Sequence, residues 1–198
     1  MPEPIEDVTF HDEDWYAEEL TDRHYVRCTF HRVDLTEATS RGAVFDSCTF
    51  GDVLFNVSRH TDSAFTRCVF TRCNLFEAEF IGCKLVGSTF DRCDLRPLTV
   101  DGGDWSFVTL AGADLRGARF TGVRMRETDL AGVDLTGATV HGVDLSDVQW
   151  RGARLSGADL RGSDLTGLDP TAVQRAGAVI DVGQAVALAH ALGFDVRV

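Results

Sequence analysis

The chain has 198 residues, 31 Asp and Glu against 19 Lys and Arg, a formal net charge of −12 and 44% hydrophobic residues. That hydrophobic share suffices for a packed core and excludes wholesale disorder, while the surplus of acid argues against DNA or an anionic membrane as a direct partner. No apolar run approaches the length of a membrane span, and the opening MPEPIEDVTF is acidic, unlike a signal peptide, so the cytoplasm is the expected compartment.

The acid is concentrated at the start: residues 1–24 carry nine acidic residues against Arg23 alone. Inside this segment a period of five begins. From Phe10 to Leu165 every fifth residue is large and apolar, with Ser40 and His60 the only polar exceptions. Two positions before each of these, the first coil places Glu13, Glu18 and Arg23, charges that do not go into a core unpaired. Residues 1–24 are therefore expected to form an irregular acidic cap that protects the open edge from strand addition.

From Cys28 to Ser163 that second position holds only Ala, Cys, Ser, Thr, Val or Gly, apart from Leu98. A small inward residue, a polar outward one and a large inward one make a three-residue strand. The two residues left over must turn a corner. Steps of twenty collect like with like, as in Phe30, Phe50, Phe70, Phe90 and in Leu95, Leu115, Leu135, Leu155, so the chain is expected to coil with four sides per turn over residues 25–167. Fourteen of the nineteen glycines fall at the second corner residue. Because a type II turn needs positive φ there, such turns are expected from Gly112 onward. Arg32, Glu37, Ser47, Arg67 and Arg72 predict other turn types before it.

Cys28, Cys48, Cys68, Cys73, Cys83 and Cys93 all occupy the small position and read as buried fillers. With Cys68 and Cys73 on adjacent sides of a coil, no histidine to complete a zinc set and no catalytic motif, neither metal nor cofactor is expected, and the chain reads as non-enzymatic. Arg96-Pro97-Leu98 breaks the pattern twice, since proline takes a corner and Leu98 is oversized. A bend or widened coil is expected at Pro97 and Leu98. After Leu165 the period stops, and residues 168–198 read as a helical C-terminal module. A short helix is expected over residues 170–176. A longer one is expected over Val182–Leu192, opened by a capping box of Asp181 and Gln184 and stopped by Gly193. Phe194, Val196 and Val198 alternate as a short strand would. Val182, Val186, Ala189, Leu192 and Phe194 offer more apolar surface than one coil end needs, which points to a homodimer.

The pentads Ala113-Asp114-Leu115-Arg116-Gly117 and Ala158-Asp159-Leu160-Arg161-Gly162 resemble the pentapeptide-repeat family. The resemblance implies an all-β solenoid, a right-handed quadrilateral β-helix, across residues 10–167. Leu95-Arg96-Pro97-Leu98-Thr99-Val100 and the ending Val179-Ile180-Asp181-Val182 are similar to the mycobacterial quinolone-resistance branch of that family. This implies a DNA-mimicking protein that binds DNA gyrase and topoisomerase IV, protects them from quinolones, and dimerises through its C-terminal module. No inserted loop interrupts the register, unlike in the plasmid-borne relatives. Sorted by steps of twenty, the wall through Leu35 and Leu115 is the most acidic, and Asp34, Glu37, Glu77, Asp94, Asp114 and Asp134 are its candidate partner-binding residues. The competing expectation is a passive scaffold for a different partner.

Overall fold

The computed structural model describes residues 3–197 and is a parallel β-solenoid closed by one short helix. Strands of two or three residues stack on the strand twenty positions away, without a register slip: Phe10 on Phe30, Phe30 on Phe50, Phe50 on Phe70 and Phe70 on Phe90. Three walls form sheets of four, five and seven strands. The fourth, the wall of Asp14, Asp34, Leu54, Asn74 and Asp94, is held by single bridges. Both inward positions are buried along almost the whole length. In the Phe30 column the rings lie nearly parallel with centroids 4.5–4.9 Å apart, because the ladder spacing of about 4.8 Å leaves a planar side chain no other way to repeat.

Four expectations are corrected. Residues 5–24 are not irregular: Ile5, Phe10 and Leu20 pair in register with Tyr25, Phe30 and Ser40. Glu13, Glu18 and Arg23 are exposed, since among the described residues no complete coil stacks beneath this one, and so the charges cost the backbone no regularity. Met1 and Pro2 lie outside the described residues. At the other end, residues 170–176 are not a helix. The coil runs on with Leu168, Pro170 and Val173 buried and with Gln174 and Val179 bridged to Arg154 and Asp159. A large Leu168 in the small position and Arg175 in the large one hide the period from sight. The helix, α1, spans Val182–Ala191 with the Asp181/Gln184 capping box. A Schellman motif closes it: Gly193 N–H donates to His190 O and Phe194 N–H to Ala189 O. Residues 194–197 are not a strand, and Val198 lies outside the described residues.

The fourth correction concerns the corners. The second corner residue has positive φ in both halves, glycine or not: 52° at Arg32, 59° at Glu37, 54° at Arg72, against 69° at Gly112. A left-handed non-glycine residue costs about 1–2 kcal/mol. The ladder enforces it, because these N–H groups donate to the next coil, Arg32 to Gly51 O at 2.9 Å and Glu37 to Asn56 O at 2.8 Å. What differs between the halves is closure. Before Gly112 the hydrogen bond across the corner recurs regularly only on the acidic wall, at Trp15, Leu35, Phe55 and Leu75. Beyond it most corners have one.

The fourth wall is also open at one level. No main-chain hydrogen bond joins residues 91–97 to residues 111–117, although the other three walls continue there through Thr89–Thr109, Lys84–Asp104 and Val100–Phe120. A groove of about 360 Å³ lies over the gap. Leu98 is fully buried and Thr99 returns to register with Glu79. Cys93 and Ala113, on either side of the opening, are half-buried, so the other five cysteines are core fillers and Cys93 is not wholly one.

Candidate protein-binding wall

Asp before the large residue has a local task. Its carboxylate accepts the N–H of the first corner residue: Asp14 from Tyr16 at 3.0 Å, Asp34 from Thr36 at 2.9 Å, Asp134 from Thr136 at 3.0 Å. This Asx-type bond satisfies a corner donor that the ladder leaves free. The acid column is thus first a device for turning the chain. Whether a given carboxylate is also available to a partner depends on its neighbours.

By that measure the six candidate residues fall into two groups. Asp114 lies 2.8 Å from Arg116 and 3.0 Å from Arg96, and the Arg116 hydrogen bonds hold its carboxyl below the usual range. Asp134 pairs with Arg154 at 3.2 Å. Partial burial pushes its pKa up, but Thr136 and Arg154 outweigh this and the net shift is downward. Among the described residues Asp94 pairs with Arg96 alone, at 3.7 Å. Asp34, Glu37 and Glu77 have no ion pair among the described residues. Glu37 instead lies beside Tyr16, whose hydroxyl it pushes to a higher pKa. The exposed negative field of this wall therefore belongs to its first half, and beyond the gap arginines offset it.

Composition gave no hint of what stands among those free acids. Leu54, Val57 and Phe76 are 42%, 47% and 41% exposed, and Tyr16 is 54% exposed. All four lie on this wall or its corner, in the columns of Asp14, Tyr16 and Ala17. The signal is present in the sequence: by steps of twenty, the outward columns through Asp14, Tyr16 and Ala17 contain Leu54, Phe76 and Val57.

The other sequence candidates resolve differently. His60 is buried within hydrogen bonds: Nδ1 lies 2.8 Å from Ser40 Oγ and Nε2 3.1 Å from Ser58 Oγ, with Ser63 Oγ 2.9 Å beyond Ser40. Its ring stacks on Phe80. Among the described residues no cluster of His, Cys, Asp and Glu is arranged to hold a metal. Burial pushes the His60 pKa down to about 3, so between there and the unfolded value near 6.5 the unfolded chain binds the extra proton. The stability difference between wild type and His60→Phe should be flat above pH 6.5. Below it, wild type should lose up to about 1.4 kcal/mol per pH unit relative to the variant. Paired denaturant titrations from pH 4 to 8 measure this; a difference that does not tilt would contradict it.

At the C-terminal end, Gln184 Nε2 donates to Leu160 O and Ser163 O, both at 2.7 Å, and Asp181 accepts Gly162 N–H at 2.9 Å. These bonds plug the last coil. Of the dimer candidates, Val182, Leu192 and Phe194 are exposed, and Val186 and Ala189 are half-buried. No helix among the described residues is long and apolar enough to cross a membrane.

Comparison with known proteins agrees with this geometry. Models described as pentapeptide repeat region and pentapeptide repeats match residues 73–150 and 141–169. The pentapeptide repeat protein MfpA of Mycobacterium tuberculosis is 40% identical over 83 residues, covering 42% of this chain and 45% of that protein. The match thus spans under half the length of that relative. Among solved structures, a trypsin-treated form of QnrB1, a plasmid-mediated fluoroquinolone resistance protein, superposes with a TM-score of 0.84 over 97% of this chain and 99% of that one, at 20% identity. HetL, a pentapeptide repeat protein involved in heterocyst differentiation regulation in Nostoc sp. strain PCC 7120, reaches 0.51 over 89% and 86%, at 21% identity. At these identities the structures speak for the fold.

Proposed function

Since this chain belongs to the pentapeptide-repeat family, we propose that it is a non-catalytic, DNA-mimicking ligand of DNA gyrase and topoisomerase IV that occupies a DNA-binding surface and shields the enzyme from quinolones. The observation that carries this reading is the group of carboxylates with no ion pair among the described residues, Asp34 and Glu37 on one coil and Glu77 two coils further on, held on one wall of a rigid rod. The 83-residue match to MfpA supports it. A preordered surface loses little conformational entropy on binding, and the hydrogen-bonded ladder supplies that order. The mimic is dilute, since duplex DNA carries a charge about every 1.7 Å and this wall carries fewer than one free acid per coil spacing of about 4.8 Å.

The test is a gyrase supercoiling assay with and without ciprofloxacin, using wild type, Glu37→Lys/Glu77→Lys and Asp114→Asn/Asp134→Asn. Wild type should inhibit supercoiling or relieve the quinolone block, with an effect that weakens as salt rises. The lysine pair should raise the half-effective concentration about tenfold or more. The asparagine pair, which removes carboxylates already matched by arginine, should change it less than threefold. A wild type without effect on gyrase and topoisomerase IV would leave the rod as a scaffold for some other partner.

We place the dimer contact on α1 and the segment after it, at Val182, Val186, Ala189, Leu192 and Phe194. Val182 is 82% and Phe194 65% exposed, and large apolar side chains standing free at a solenoid end mark an interface. Val182→Asp/Phe194→Asp should sediment as a monomer with the thermal midpoint of the folded coil retained. Wild type sedimenting as a monomer at micromolar concentration would refute the placement.

A further inference from the structure

The free acids and the exposed apolar side chains of the fourth wall are interleaved, and the interleaving has a centre. In the third coil the two outward positions that carry Asp34 and Glu37 one coil earlier carry Leu54 and Val57 instead. Asp34 and Asn74 flank Leu54 in the bridge ladder. Val57 N–H donates to Phe76 O at 2.8 Å, which sets Val57 and Phe76 on adjoining coils at the same corner. Leu54, Val57 and Phe76 thus form one exposed apolar island on a fixed backbone. Glu37 lies one coil before it, Glu77 is beside Phe76, and Asp94 follows one coil later.

From this arrangement we infer that the wall is a protein-docking site whose anchor is the Leu54–Val57–Phe76 island, and that the partner offers an apolar socket rimmed by arginine or lysine. Charge complementarity selects that occupant. The rim of Asp34, Glu37 and Glu77 lacks internal counter-charges, so a basic surface gains by covering it, whereas nucleic acid and an anionic bilayer are repelled. Apolar and aromatic residues at the centre of a patch with a charged rim are where binding energy concentrates. A strict copy of a DNA backbone has no use for such an island, so it adds a contact that DNA does not make. The inference rests on the topoisomerase reading above and locates the contact within it, in residues 34–94 and on the N-terminal side of the gap.

Binding of the full chain to purified gyrase, measured by interferometry at 50 and 200 mM salt, separates the possibilities. Leu54→Ser/Val57→Ser/Phe76→Ser alters only exposed side chains, and circular dichroism with thermal melting verifies its fold. It should weaken binding 10- to 100-fold with the salt dependence unchanged, whereas Glu37→Lys/Glu77→Lys should weaken binding and flatten the salt dependence. Wild-type binding that survives the triple serine variant overturns the inference and leaves the topoisomerase reading standing. Absence of wild-type binding overturns the reading and the inference together. If sedimentation shows the triple variant losing self-association that Val182→Asp/Phe194→Asp retains, the island belongs to a second copy of this chain and the inference falls.

Discussion

Phe50→Ala should lower the free energy of unfolding by about 3–5 kcal/mol, measured by guanidinium titration. Phe50 is fully buried and stacks on Phe30 and Phe70 at 4.8 Å on both sides, so truncation opens a void between two rings that the ladder holds in place. Neither ring can collapse into it without leaving its own strand. Phe10→Ala should cost clearly less, because Phe10 is only partly buried and has a stacked partner on one side, Phe30. In a solenoid each coil contacts only its neighbours, and an end coil has one neighbour fewer. Equal losses at the two positions would show that the coils do not behave as stacked units.

Gly103→Ala should cost a similar 3–5 kcal/mol or prevent folding, through a named clash. Gly103 occupies the small inward position with φ at 87°, and a Cβ there would lie 2.1 Å from Cys83 O and 2.8 Å from Cys83 N. Both are backbone atoms. Cys83 O cannot withdraw, because it accepts Asp104 N–H at 3.0 Å in the ladder that joins Lys84 to Asp104. The adjacent Gly102, with positive φ but nothing within 4 Å of its would-be Cβ, is the control: Gly102→Ala should lose only about 1–2 kcal/mol, the cost of a left-handed alanine. Melting both variants side by side decides the matter, and a Gly103→Ala protein as stable as Gly102→Ala would refute it.

Most of the architecture was legible because the period of five is a packing rule repeated along the chain. Each inward residue is constrained by the one twenty positions away, and so Phe30, Phe50 and Phe70 announce themselves. Legibility fails where the ladder overrides a residue's own preference. Arg32 and Glu37 take a glycine conformation because their N–H groups are claimed by the next coil. The coil continues past Pro170 and Arg175 because Gln174 and Val179 are held by bridges to Arg154 and Asp159. The first coil is regular for the same reason, with its charges disposed of by exposure. At the candidate site, the sequence distinguished acids from bases but not free acids from paired ones. Asp114 and Asp34 read alike as letters. Their difference lies in the arginines two and eighteen residues from Asp114, Arg116 and Arg96, which have no counterpart beside Asp34.

The opening between residues 91–97 and 111–117 makes the rod mechanically unequal around its circumference. Three walls resist stretching through unbroken hydrogen bonds, while the fourth is joined at that level by the Arg96–Asp114 ion pair, a half-exposed contact of a kind worth at most about 1 kcal/mol. A beam slit on one side is most compliant in the direction that opens the slit. Curvature imposed by a partner therefore gathers at this level with the acidic wall on the outside of the bend, and the Leu54–Phe76 segment tilts as a stiff unit against the segment that follows.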